Sequence, residues 1–177
     1  MAIIKKLNGV TPQFGENCFL ADNAAIIGSV TMGNDCSIWF GAVLRGDVNT
    51  ITIGNKVNIQ DNATIHATYK TCPTVIGNNV SIAHNAVIHG CTIHDNVLIG
   101  MGAIVLDKAE IQSNTIIAAG SVVTKGTVVE SGWVYSGCPA KKMKQLGDEL
   151  LKGEVERIVN AYNMYAGWYK DAEDVEE

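Results

Sequence analysis

The stretch Ile76-Gly-Asn-Asn-Val-Ser-Ile82-Ala-His84-Asn85-Ala-Val-Ile88-His89-Gly90-Cys-Thr-Ile93-His-Asp-Asn-Val-Leu-Ile99 decides the fold. Aliphatic residues return at Ile76, Ile82 and Ile88, then after one short step at Ile93 and Ile99. A step of six is neither the 3.6 of a helix nor the alternation of a long strand. It suits a short strand with inward and outward side chains, followed by a tight corner. Three such strands close a triangular coil, and stacked coils bury a continuous aliphatic column.

The same step runs outward in both directions. Toward the N-terminus it passes through Ile65, Ile59 and Ile53, then Leu44, Ile38, Met32, Ile26 and Leu20; toward the C-terminus through Val105, Ile111, Ile117 and Val123. Four residues after each stands a second inward candidate, from Ala24, Val30, Cys36 and Ala42 to Ser121 and Thr127, small or β-branched everywhere except Tyr69. Gly54, Gly77 and Gly100 and the many asparagines suit corners. The fold class expected is an all-β solenoid, a parallel β-helix of hexapeptide repeats over residues 1–139, with the first residues as a lead-in or cap. The step breaks between Leu44 and Ile53, between Ile65 and Ile76, and between Ile88 and Ile93; the first two breaks read as small outward loops.

Residues 140–177 differ. From about Lys142, apolar residues fall at Met143, Leu146, Leu150, Val155, Ile158, Tyr162, Tyr165 and Tyr169, the spacing of an amphipathic helix with Pro139 just ahead of it. That helix is expected to pack along the solenoid or a neighbour and to cover its open end. An acidic, frayed tail is expected from Asp171 to Glu177.

Composition narrows the function classes. The chain has 177 residues, is 47% hydrophobic and carries a net charge of −5. That supports a real core and argues against bulk disorder. Arg45 and Arg157 are its only arginines and no basic patch is interleaved with aromatics, so no nucleic-acid partner is expected. No apolar run fits a signal peptide or a membrane span. Cys18, Cys36, Cys72, Cys91 and Cys138 are scattered without a C-x-x-C pair, which reads as reduced thiols in a cytoplasmic protein.

The repeat also says where the histidines point. With three faces A, B and C and Ile59 on A, Ile65 and Ile88 fall on B and Ile82 on A. His66 and His89 each follow their aliphatic residue, so they share one slot of face B, one coil apart, at about 4.8 Å. Leu44 counts back to face B and puts Arg45 below His66. Face A carries Gln60 and Asp61, with His84 above Asp61. Two imidazoles at one strand spacing can share a metal, and the third must come round a corner of the triangle. A threefold ring in which face B of one subunit meets face A of the next would supply it. Arg45 would then face Asp61 across the interface. On the residues alone these are equally surface histidines and an ordinary intersubunit salt bridge. His94, counted onto face C, reads as a surface residue.

Arg45-Gly46-Asp47, Asn58-Ile59-Gln60-Asp61-Asn62, His66, and His84-Asn85-Ala86-Val87-Ile88-His89-Gly90 resemble the γ-class carbonic anhydrases and their short bacterial relatives. The resemblance runs over nearly the whole chain, through Gly137-Cys138-Pro139-Ala140-Lys141. It implies a left-handed β-helix, a homotrimer, and an interfacial metal held by His66, His84 and His89, zinc (Zn2+) or in some cases Fe2+ or Co2+. It implies that Arg45, Asp47 and Asp61 order the interface and the site. It implies that Gln60 hydrogen-bonds hydroxide or CO2, with Asn58 supporting it, and that the reaction is hydration of CO2 to bicarbonate. The family's proton-shuttle glutamates lie in an acidic loop after Arg-Gly-Asp and three residues after the first ligand. Here Val48 follows Asp47 and Tyr69 stands three after His66, so Tyr69 is the candidate catalytic residue at that position and no carboxylate fills either place.

Two other functions fit parts of the pattern. A hexapeptide-repeat acyltransferase would use one histidine as general base, and the Gly-x-Pro-Ala-Lys stretch is shared with such enzymes. A non-catalytic, metal-binding trimeric assembly protein would keep the metal without the reaction.

Overall fold

The computed structural model describes residues 1–169 and 172. It is a parallel β-solenoid of about seven turns followed by one C-terminal helical segment. Strands in one coil pair in parallel with those in the next, one pairing per face. On face A the column climbs from Phe19–Leu20 through Ser37–Ile38, Asn58–Ile59, Val80–Ile82, Val97–Ile99 and Thr115–Ile117 to Trp133–Gly137. On face B it includes Thr64–His66, Val87–His89, Ile104–Val105 and Val122–Val123. On face C it includes Thr74–Ile76, Thr92–Ile93, Glu110–Ile111 and Val128–Val129.

The aliphatic slots are the core. Each of the six-step positions from Ile26 to Val123 is buried, and Leu20 in the first coil is half-buried. Small residues in the second slot, such as Ala24, Ala42, Ala63, Ala86 and Ala103, are fully buried. They leave room for the isoleucines of the other two faces to meet at the axis. The backbone reason for the step is visible at the corners. Asp35, Lys56, Asn62, Asn79, Asn85, Asn96, Lys108 and Asn114 all have φ between 54° and 60°. Asparagine and aspartate tolerate this left-handed conformation best, which accounts for the density of Asn at these points.

The breaks in the step take different forms. Val43–Ile53 is one long strand that turns the corner from face B to face C, pairing with Thr64–His66 at one end and Thr74–Ile76 at the other. Only its middle swells outward, so the first expected loop is a strand with a bulge. The second is a loop as expected, closed by a Thr68–Cys72 bridge with Tyr69 at its exposed tip. The third is a tightened corner at Gly90, whose φ is +58°.

The C-terminal region departs from its sequence reading in two respects. Ala140–Gln145, expected within the helical part, is a strand that folds back antiparallel on Trp133–Gly137. The last coil otherwise ends in unpaired backbone, and this strand, with Lys141, Lys142 and Lys144 exposed along it, satisfies and blunts that edge. The helical segment begins at Asp148, with a π-helical turn over Leu151–Glu156 and an α-helix over Arg157–Trp168. It does not cover the open end. It lies along face A of its own chain against Ser37–Ile38, Asn58–Ile59 and Val80–Ile82. An aromatic cluster seats it: Trp39 meets Tyr162 edge-on at 5.1 Å and Tyr169 at 5.4 Å, and Phe19 packs on both Trp39 and Tyr169. Such pairs add stabilisation beyond the area they bury. The acidic tail expected over 171–177 lies, apart from Ala172, outside the described residues. No helix among the described residues is long and apolar enough to cross a membrane.

Candidate metal centre

Face B builds a histidine pair. Parallel pairing aligns His89 with His66 and Leu44 with Ile65, which stacks Arg45, His66 and His89 in one outward column. The two rings lie 5.1 Å apart, and His66 Nδ1 faces His89 Nε2 at 3.1 Å. Each ring's other nitrogen is taken by a carboxylate: His66 Nε2 meets Asp47 Oδ1 at 2.9 Å, and His89 Nδ1 meets Asp107 Oδ1 at 2.6 Å. A carboxylate accepts, so those nitrogens donate to it, and the two facing nitrogens share a hydrogen bond that a metal between them would replace.

The carboxylates are themselves anchored. Arg45 pairs with the second oxygen of Asp47 at 2.5 Å, and the Thr68 hydroxyl donates to the second oxygen of Asp107 at 2.8 Å. Burial alone would raise both carboxyls. Hydrogen bonds from Arg45 and His66 outweigh it at Asp47, those from His89 and Thr68 at Asp107, and both are held below the usual carboxylate value. Gly90 makes the second pairing possible, because a side chain there would run into the Asp107 carboxylate and Cys72.

Face A builds the third histidine. Ile82 aligns with Ile59, which sets His84 over Asp61, and His84 Nδ1 meets Asp61 Oδ2 at 2.9 Å. His84 Nε2 is the partner of the Tyr162 hydroxyl at 3.2 Å, from the C-terminal helix. Burial, and then the charge of Asp61, raises the Tyr162 phenol to about 12, so it is a neutral donor at physiological pH. Beneath lies a buried polar chain in which Gln60 donates to Asn58 Oδ1 at 2.9 Å and Asn58 donates to Ser81 Oγ at 2.8 Å. One N–H of the Gln60 amide is thereby used, which orients the group and leaves its carbonyl oxygen as an acceptor. Gln60 and His84 open on a cavity of about 460 Å³ walled by Leu98, Met101, Ile116 and Tyr162.

The structure therefore brings His66, His89, Arg45 and Asp47 together on one face, and His84, Asp61, Gln60 and Asn58 on another. Within the chain Arg45 pairs with Asp47; the expected Arg45–Asp61 pair is one between subunits. Tyr69 stands apart at its loop tip with Lys70 Nζ over its ring at 4.9 Å. His94, also outward, pairs with Glu110 at 3.0 Å. Two residues of the site escaped the sequence reading. Asp107 stands two after Val105 on face B, a position the repeat count could have supplied. Tyr162 could not have been found that way, because its helix docks by tertiary contact alone.

A metal fits this donor set. Two nitrogens each about 2.0–2.1 Å from one tetrahedral zinc lie about 3.3 Å apart, close to the spacing of the facing pair. All three histidines have one nitrogen locked on a carboxylate, the arrangement that orients imidazole ligands. Within one chain, however, no group of three or more His, Cys, Asp or Glu among the described residues is placed to hold a metal.

The fold and site define a hexapeptide-repeat solenoid with a split histidine centre. The family model for the bacterial transferase hexapeptide (six repeats) matches residues 11–46 and 90–125. A carbonic anhydrase of Geobacillus kaustophilus is 39% identical over 168 residues, covering 95% of this chain and 91% of that one. Gamma carbonic anhydrase 2, mitochondrial, of Arabidopsis thaliana is 46% identical over 144 residues, covering 78% of this chain and 52% of that one. The chain thus spans about half the length of that plant relative. The crystal structure of a hexapeptide transferase family protein from Anaplasma phagocytophilum superimposes with a TM-score of 0.89 at 38% identity, covering 94% of this chain and 98% of that one. The chain belongs to the γ-class carbonic anhydrase family.

Proposed function

We propose that the protein is a zinc-dependent carbonic anhydrase that works as a homotrimer in the cytoplasm, converting CO2 and water reversibly to bicarbonate. The observation that carries the reading is the set of three carboxylate-locked histidines, two facing each other on face B and one on face A. In the trimer, His66 and His89 of one subunit and His84 of the next would hold the metal, with Arg45 and Asp47 bracing one side of the interface and Asp61 the other. A zinc ion so held would lower the pKa of water to about 7 and supply hydroxide at neutral pH, as zinc does in carbonic anhydrases of another fold.

The chain's own groups do the rest. Gln60, fixed by Asn58 and Ser81, offers its carbonyl oxygen to orient the attacking oxygen's proton. Leu98, Met101 and Ile116 give the apolar wall along which CO2 enters. Tyr162 donates to His84 in the free chain and stands beside the reacting centre as a neutral hydroxyl. Tyr69 takes the place of the family's glutamate without its charge. The proton released on each turnover therefore has no carboxylate relay at the two family positions, and turnover is expected to rise with buffer concentration.

The test is metal content of anaerobically purified protein together with CO2 hydration. Zinc, iron or cobalt at about one per subunit with hydratase activity lost on chelation is expected. Metal-free protein, indifferent to chelators, would overturn the reading. Metal without hydration under rich buffering favours a metal-braced assembly protein instead, and coenzyme A binding by calorimetry favours the acyltransferase reading. Asp107→Asn should weaken zinc binding about 10–100-fold in chelator competition, because the lock on His89 is lost while its ring remains.

A further inference from the structure

We propose that Cys18 and Cys36 form a dithiol site for hydroperoxides, oxidised to a disulfide that staples the first coil of the solenoid to the second. The inference does not depend on the metal reading. Both cysteines occupy the inward slot two residues before an aliphatic position, Leu20 and Ile38. Val57, Val80 and Val97 fill the same slot in the coils above. Only the two lowest rungs of this column carry sulfur. Phe19 pairs with Ser37, and the Phe19 amide donates to the Cys36 carbonyl at 2.9 Å, so Cys18 stacks directly on Cys36. Paired parallel strands lie about 4.8 Å apart. That lies within the span of roughly 4.4–6.8 Å that a disulfide bridges between Cα atoms.

The two thiols are not equivalent. Cys36 is buried, and its S–H is within reach of the Gly54 carbonyl at 3.2 Å. The hydrogen bond from Cys36 holds Cys18 well below the ordinary thiol range against its partial burial. The same bond, with burial, pushes Cys36 up. Cys18, half-buried in the outermost coil and 3.2 Å from the Gly33 carbonyl, is placed as the nucleophile, and the buried Cys36 stacked on it as the resolving thiol. A hydroperoxide needs to reach only Cys18. Cys18 lies in the outermost coil and is half-buried. A cavity of about 210 Å³ borders Cys36 together with Asn17, Asp35, Lys56, Asn163 and Ala166. Cys72 and Cys91 lack these features; both are buried, and burial raises Cys91 to about 12.

The chemistry balances with a hydroperoxide as the sole oxidant. The Cys18 thiolate attacks one peroxide oxygen, the O–O bond breaks, and the alcohol or water leaves with a proton, giving a sulfenic acid. The Cys36 sulfur then displaces the sulfenic oxygen as water and the S–S bond forms. Two thiols lose two electrons in all, and the peroxide gains them.

The experiment uses the full-length Cys138→Ser protein, which removes the exposed thiol. After hydrogen peroxide treatment and quenching, thiols are counted in denaturant and the protein is mapped by mass spectrometry. The expected result is loss of two thiols and of the mass of two hydrogens, a Cys18–Cys36 cross-linked peptide, and full reversal by dithiothreitol. The oxidised form should melt roughly 5–10 °C higher than the reduced one. Cys18→Ser should leave Cys36 reduced under the same treatment, and this variant keeps the buried cysteine in place. The proposal is overturned if both thiols survive peroxide, or if Cys18 proceeds to sulfinic or sulfonic acid with no cross-link. It is overturned equally if Cys18→Ser loses Cys36 at the unmodified rate.

Discussion

His84→Ala should strip the metal from the protein and reduce CO2 hydration to the uncatalysed background, while the solenoid stays folded. The side chain is outward and about a third exposed, and its backbone lies at a corner held by the Asn85 amide on the Asp61 carbonyl at 3.0 Å. Losing the imidazole therefore removes a ligand and its bonds to Asp61 and Tyr162 but little apolar packing, a cost of about 1 kcal/mol. Circular dichroism should barely change, the melting temperature should match that of chelator-treated wild type to within a few degrees, and metal content should fall close to zero. A mixed assembly makes the sharper test. Chains carrying His84→Ala and chains carrying His66→Ala with His89→Ala are each expected to be inactive alone. Refolded or co-expressed together, they should regain metal and activity, because one chain's intact face B can meet the other's intact face A. Recovery will not occur if all three ligands come from one chain. The mixture then stays as inactive as its components, and the split site falls.

The second large effect is on stability. Ile88→Ala removes a fully buried side chain one residue before His89, at the point where three faces converge on the axis. Leu/Ile→Ala changes in cores cost about 2–5 kcal/mol, and 1 kcal/mol shifts the melting temperature of a domain this size by roughly 2–4 °C. A drop of about 10 °C is expected by calorimetry. Val75→Ala, on the outward side of its strand and 38% exposed, should change the melting temperature by no more than a degree or two. The contrast tests the inward–outward assignment directly. Equal losses at the two positions would mean that the six-residue step had been assigned to the wrong face of the strands.

These two predictions rest on different kinds of legibility. The aliphatic column from Ile26 to Val123 could be read from the chain because each coil repeats the same local problem, a short strand and a corner. One slip of the register would have turned the column outward. The stacking of His66 on His89 and of His84 on Asp61 followed from the same count, since parallel coils in register copy a slot upward one strand spacing at a time. Asp107 was equally countable. Its neighbours in the chain carry no hint of His89, which lies one coil below.

What the sequence determined by itself was therefore what repeats: the solenoid, its core, and the faces on which the histidines sit. What only the tertiary structure decided lies where the repeat stops. Ala140–Gln145 became a strand because the last coil needed its backbone edge paired, a demand that no local propensity carries. The helix settled on face A because Trp39 and Phe19 offered an aromatic seat there, and that docking alone delivered Tyr162 to His84. Arg45 and His66 close on Asp47 because the long Val43–Ile53 strand carries that carboxylate past both of them. Repetition makes contacts local in sequence even when they are a coil apart, whereas caps, docked helices and side-chain pairings are chosen by surfaces that exist only once the coils have stacked.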